Sequence, residues 1–78
     1  MIYGLIKKAL VDQLAIDDKL ISPETHIEGD LELDSTEKVI IALELKKHFN
    51  VEYKFSPKDV SIQEIVATVE EMMALTTS

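Results

Sequence analysis

The 78-residue sequence predicts an all-α fold: a small four-helix bundle with three main helices, one short helix and a long loop between the first two. Three observations carry that expectation. Apolar residues recur at helical spacing in three separate stretches, no strand-like alternation persists for long, and only two glycines and two prolines punctuate the chain. A chain of this length supports a single core, so residues 1–78 are expected to form one domain.

The first helix rests on Ile2, Leu5, Ile6, Ala9 and Leu10, which recur at i, i+3, i+4, i+7 and i+8 and mark an amphipathic stretch from about Ile2 to Ile16. From Asp17 to Leu33 the periodicity dissolves. Pro23 and Gly29 break the chain there, and Ile21, Ile27, Leu31 and Leu33 are spaced as apolar anchors. A connection this long in so small a domain is expected to be functional or well packed.

The second helix begins near Ser35, because Asp34 followed by Glu37 gives a capping box and apolar residues resume at Val39. It ends near Phe49 and Asn50, where asparagine can take the left-handed cap. Ser56-Pro57 reads as a cap followed by proline at a first helical position, predicting a short helical turn over Pro57 to Val60. Ser61 and Glu64 form a further capping box. Behind it Ile62, Ile65, Val66, Val69, Met72 and Met73 make the cleanest stripe in the chain. Thr76, Thr77 and Ser78 are expected to fray.

Charge narrows the function. Eight lysines and no arginine stand against fifteen acids, a formal net charge of −7. Nucleic-acid binding draws on clustered cations and is excluded, as is attraction to an anionic membrane surface; basic partner surfaces fit better. The absence of cysteine removes disulfides, thiolate metal sites and cysteine nucleophiles. The longest apolar run, Val39 to Leu43, is far too short to insert across a membrane. Lys7 and Lys8 lie inside the first helical pattern, so the start does not read as a signal peptide. A cytoplasmic, monomeric domain is the resulting expectation.

Enzymatic constellations are scarce. His26 and His48 lie in separate elements and read as surface histidines, not as a metal site. A Ser-His-Asp set can be drawn from Ser35, His48 and Asp34, but no glycine-flanked nucleophile turn supports it. Asp30, Glu32 and Asp34 alternate as in a calcium loop. Counting from Asp30, however, the turn glycine would fall on Ser35 and the bidentate glutamate on Ile41, so that motif fails.

One stretch survives: Gly29-Asp30-Leu31-Glu32-Leu33-Asp34-Ser35-Thr36, continuing through the second helix to Phe49. Taken alone, Asp34-Ser35 reads as a helix cap. The whole pattern of length, helix order, Asp-Ser at the second helix start and Phe near its end resembles the acyl carrier protein family. Its hallmark there is an Asp-Ser-Leu tripeptide. The resemblance implies that the chain is not an enzyme but carries acyl or aminoacyl groups as thioesters on a 4′-phosphopantetheine arm. That arm would be transferred from coenzyme A to Ser35 by a separate phosphopantetheinyl transferase, with Asp34 and Thr36 flanking it. Acyl-loading, acyl-transfer and condensing enzymes are the further partners implied. A phosphodiester at a helix N-terminus is favourably placed by the unpaired N–H groups and the positive end of the dipole.

At roughly 100° per residue, Ile41, Ala42, Leu45 and Phe49 share one arc of the second helix and read as its core face. Val39, Ile40 and Leu43 share another with Ser35 and Thr36, bordered by Lys46 and Lys47. That second arc is either buried against a further helix or forms an exposed apolar track for partners. Asp30, Glu32, Asp34, Thr36, Glu37, Val39, Ile40 and Leu43 are accordingly the expected partner-binding residues. Two departures from the family pattern stand out. Thr36 replaces the usual leucine, and Lys38, Lys46 and Lys47 lie along a helix that is typically acidic in carriers of housekeeping fatty-acid synthesis. Both point to a dedicated pathway of polyketide, specialised lipid, aminoacyl or D-alanyl type. The chain starts at Met1 directly before the first helix, which suits a free-standing carrier. The rival expectation is a small acidic helical adaptor that binds proteins through its second helix.

Overall fold

The computed structural model describes residues 2–55 and 57–76, the last without its side chain. Among them three α-helices follow in order: α1 (Ile2–Asp12), α2 (Ser35–Phe49) and α3 (Ile62–Thr76), with a 3₁₀ turn at Asp18–Leu20 inside the first connection. Among the described residues the only β-pairing is an isolated antiparallel bridge between His26 and Ser61. The all-α expectation holds.

α1 is the element against which the other two pack. Its buried face is Ile2, Ile6, Ala9 and Leu10, the stripe read from the sequence. Facing it are Ile41 and Leu45 of α2 and Ile62, Ile65 and Val69 of α3, all fully buried. The helix stops at Asp12, short of the expected Ile16. Ala15 takes a left-handed conformation (φ 56°), and the Ile16 N–H reaches back to the Leu10 carbonyl. Leu14 and Ile16 still pack on the core, but from a turn, so their apolar spacing imitates a helical continuation.

The connection from Asp17 to Leu33 is packed, not idle. Ile21, Ile27 and Leu33 are buried in the core. Asp17 caps the 3₁₀ turn by accepting the Lys19 N–H, and Asp18 meets Lys7 of α1 at 2.8 Å. The buried Thr25 hydroxyl accepts the Ser22 N–H and donates to the Leu20 carbonyl. A helix start leaves its first N–H groups without intrahelical partners. For α3 this connection supplies them: Ile62 donates to the Thr25 carbonyl and Gln63 to that of Pro23, while Glu64 donates to Ser61 Oγ.

The short helix expected over 57–60 does not form; residues 57–58 are a bend, and Ser56 lies outside the described residues. Its last residues are committed elsewhere. The Val60 carbonyl accepts the Ile27 N–H, and the Asp59 carboxylate accepts from the backbone of Glu28 and Gly29. This close approach also explains Gly29, where an added Cβ would lie 3.0 Å from Asp59 Oδ2. Thr77 and Ser78, expected to fray, lie outside the described residues; Thr76 closes α3.

Candidate functional site

α2 begins as the sequence predicts. Asp34 is the N-cap: its carboxylate accepts the Glu37 N–H at 2.8 Å, and Glu37 returns the contact by accepting the Asp34 N–H at 3.0 Å. Asn50 closes the helix in the left-handed conformation (φ 56°, ψ 39°). Ser35 is therefore the first helical residue, not the cap, and its side chain is exposed. The hydroxyl stands outside the core at the positive end of a 15-residue helix.

Beside it runs an open cleft of about 470 Å³. α2 supplies one wall with Ser35, Lys38, Val39 and Ala42, and the segment after α2 supplies the other with Tyr53, Lys54, Phe55 and Pro57. Tyr53 and Phe55 pack edge to face with ring centres 4.8 Å apart. Burial, helped by the charge of Glu64, pushes the Tyr53 phenol above its ordinary pKa, so it stays protonated and able to donate. Lys38 is mostly buried, with its ammonium 2.7 Å from Glu28 Oε2 of the long connection.

The two arcs of α2 separate in the structure. Ile41 and Leu45 are buried and Ala42 and Phe49 half-buried, whereas Val39 is 53% and Leu43 60% exposed. Ile40 is half-buried between them and Thr36 is exposed. Burial against a further helix is thus ruled out for Val39 and Leu43, which form an exposed apolar ridge in line with Ser35. The acids are less uniform. Asp30 accepts the His26 N–H and closes its own turn, Asp34 and Glu37 are engaged in the cap, Glu28 faces Lys38, and Glu24 and Glu32 are exposed.

His48 lies near the far end of α2 from Ser35, roughly 20 Å away at 1.5 Å per residue, so no triad forms. It sits 3.5 Å from Glu44, and His26 lies 3.3 Å from Asp59; both rings are about half exposed. Burial raises the Asp59 pKa, but the N–H groups of Glu28 and Gly29 together with His26 outweigh it. The carboxyl is left below its usual range. No group of side chains able to hold a metal occurs among the described residues, and no helix among them is long and apolar enough to cross a membrane.

Comparison with known proteins decides the family. The acyl carrier protein of Phytoplasma australiense is 36% identical over 73 residues, covering 94% of this chain and 90% of its own. That of a Picosynechococcus species is 34% identical over 70 residues, covering 90% and 80%. That of Campylobacter lari is 32% identical over 73 residues, covering 91% and 95%. The chain belongs to the acyl carrier protein family. No protein-family model and no solved structure matches it. As an acyl carrier protein it carries acyl groups and is not itself an enzyme. The prosthetic group of such carriers is a covalently attached 4′-phosphopantetheine.

The surroundings of Ser35 fit that group. An exposed hydroxyl stands at a helix N-terminus, a lysine lies one turn away, and a largely apolar cleft opens alongside. Sequence reasoning missed Lys38, Tyr53 and Phe55 as part of this setting. Val51, Tyr53 and Phe55 alternate with Glu52 and Lys54, a short extended pattern that signals a segment packing one face inward.

Proposed function

We propose that Ser35 is the attachment point of the 4′-phosphopantetheine arm and that the chain serves a dedicated biosynthetic pathway of polyketide, specialised lipid, aminoacyl or D-alanyl type. The observation that carries the reading is the placement of Ser35: first in α2, exposed, uncommitted to the cap, and bordering the cleft. Asp34 and Glu37 fix the backbone at the helix start, so Ser35 is presented from a defined position. The bound group supplies a terminal thiol, the nucleophile that a cysteine-free chain lacks, on which acyl groups are held as thioesters. Val39, Ala42, Tyr53 and Phe55 offer apolar contact to the arm or its cargo and limit water at that wall.

The transferase and the loading, transfer or condensing enzymes are read as docking on the exposed side of α2. Thr36, Val39 and Leu43 meet them there, with Ile40 at the margin and Glu32 and Asp34 at the Ser35 end. The exposed apolar ridge of Val39 and Leu43 is small beside the roughly 800 Å² per partner of a stable interface, which supports a monomer that binds its enzymes transiently; a cytoplasmic location is part of the same reading. Thr36 and the lysines Lys46 and Lys47 support the dedicated pathway, since a threonine hydroxyl penalises a dry apolar pocket and the lysines repel a basic one.

Coexpression with a phosphopantetheinyl transferase, followed by intact mass and peptide mapping, tests the assignment. A gain of one phosphopantetheine on the peptide holding Ser35 is expected, and the thioester recovered from native host cells identifies the cargo. A chain that stays unmodified would instead favour the adaptor.

A further inference from the structure

Three residues beyond Ser35, one helical turn along the same face, Lys38 lies in the wall of the same cleft. Its side chain is only 16% exposed, an unusual burial for a lysine. It is held there by Glu28, whose Oε2 is 2.7 Å away and shielded from solvent. The pair is a contact of charges more than an aligned hydrogen bond, since Oε2 receives no well-directed donor. An ammonium carries three N–H donors, so one carboxylate oxygen does not exhaust it. A buried, immobilised cation with donors to spare thus stands beside the hydroxyl that takes the arm. Lys54 also lines the cleft but is exposed on the irregular segment between α2 and α3, where no comparable partner among the described residues fixes it.

We propose that Lys38 is the positioning residue for the phosphodiester of the arm, its ammonium bridging the phosphate on Ser35 and the carboxylate of Glu28. This inference rests on the attachment reading above. Glu28 is itself tied onward: its backbone N–H, with that of Gly29, donates to Asp59 in the segment leading to α3. A phosphate drawn to Lys38 therefore adds a negative charge to a chain of contacts running from α2 through the long connection to residue 59. The root of the arm is fixed against α2, its length is directed along the cleft, and the connection is tightened around it.

The test compares apo and holo protein for wild type, Lys38→Arg, and the double variant Lys38→Met with Glu28→Gln. The double variant removes both charges, so that no carboxylate is left buried without a cation and folding is preserved. Intact mass first establishes that Ser35 is loaded in each. The readouts are the phosphorus-31 resonance of the phosphodiester and the exchange rates of the Glu28 and Gly29 amides. The wild-type resonance is expected to differ from that of the double variant, with Lys38→Arg keeping the wild-type position. Loading should slow exchange at Glu28 and Gly29 by roughly threefold or more in wild type and in Lys38→Arg, but not in the double variant. If wild type gains no mass at Ser35, the attachment reading fails. If Ser35 is loaded but the resonance is the same in wild type and the double variant, Lys38 does not meet the phosphate and the inference is overturned. Exchange that loading leaves unchanged, or an arginine variant that behaves like the double one, overturns it equally.

Discussion

Replacing Ser35 and Asp34 by alanine, one at a time, separates the chemistry of the helix start from its stability. Asp34 holds the cap, accepting the Glu37 N–H at 2.8 Å, whereas Ser35 is the first helical residue and is exposed. Loss of an N-cap side chain costs about 1–1.5 kcal/mol. In a domain of this size each kcal/mol shifts Tm by about 4–8 °C, so Asp34→Ala should lower it by roughly 5–10 °C. For Ser35→Ala the cap remains and alanine is the better helix former, so the change should stay within about 0.5 kcal/mol. Both variants are followed by thermal and urea unfolding, then incubated with coenzyme A and a phosphopantetheinyl transferase and weighed. Ser35→Ala should keep its Tm and gain no mass; Asp34→Ala should melt earlier yet still accept the arm while folded. A Ser35→Ala protein that unfolds would make the serine structural first. One that still gains mass would place the arm elsewhere.

Leu43→Asp removes an apolar side chain that is 60% exposed in the free protein. If a partner buries that fraction, about 1–2 kcal/mol of binding is lost, roughly 5–30-fold in the KM of a docking enzyme, with stability nearly unchanged; an unaltered KM would remove the ridge from the interface. Asp59 has a folded pKa below its unfolded one, so its contribution is full above the ordinary carboxylate range and is lost as pH falls through the folded value. Acid titration of the wild type should therefore loosen the Glu28 and Gly29 amides below about pH 4, and Asp59→Asn should abolish that pH dependence; amide exchange decides. Ala15→Gly relieves a left-handed alanine and should raise stability by about 0.5 kcal/mol, measured by urea unfolding. Thr36→Leu combined with Lys46→Glu and Lys47→Glu should improve turnover with housekeeping fatty-acid enzymes and weaken it with the native partner. A wild type that already serves the former well would remove the case for a dedicated pathway.

What the sequence disclosed was what local chemistry decides. The Asp34–Glu37 box, the left-handed Asn50 and the α3 stripe each follow from residues within one or two turns of one another. The end of α1 was not legible, because alanine is the best helix former and nothing local announces that Ala15 turns left-handed. Ser56-Pro57 promised a helical turn on good local grounds, and distant partners overrode it. Asp59 and Val60 are drawn to residues some thirty positions earlier, which no periodicity reports. At the site, the place of Ser35 at the start of α2 was readable from the cap and the second arc from spacing, but whether that arc was buried or exposed was decided only by the packing of the other helices. Lys38 was readable only as a charge, since its burial depends on a glutamate in another element.

Recognition depends on which of these charges the fold leaves uncommitted. The acids before Ser35 look in sequence like one steering patch, yet Glu28, Asp30 and Asp34 each hold a defined contact within the fold. Neutralising Asp30, Glu32 and Asp34 together would therefore confound steering with a lost turn and a lost cap, and Glu32 and Glu24 are the cleaner probes of charge. Along α2 the exposed line from Ser35 through Val39 and Leu43 reaches Lys47, four residues apart at each step, with Lys46 beside it 3.7 Å from Glu52. The exposed surface along this line thus changes sign over about 18 Å, acidic before Ser35, apolar at the centre and basic at the far end. A uniformly basic docking groove would be attracted at one end and repelled at the other. On the proposed docking face, an enzyme with acidic side chains set beyond its apolar contact would meet the whole line, and that geometry, more than net charge, would select the partner.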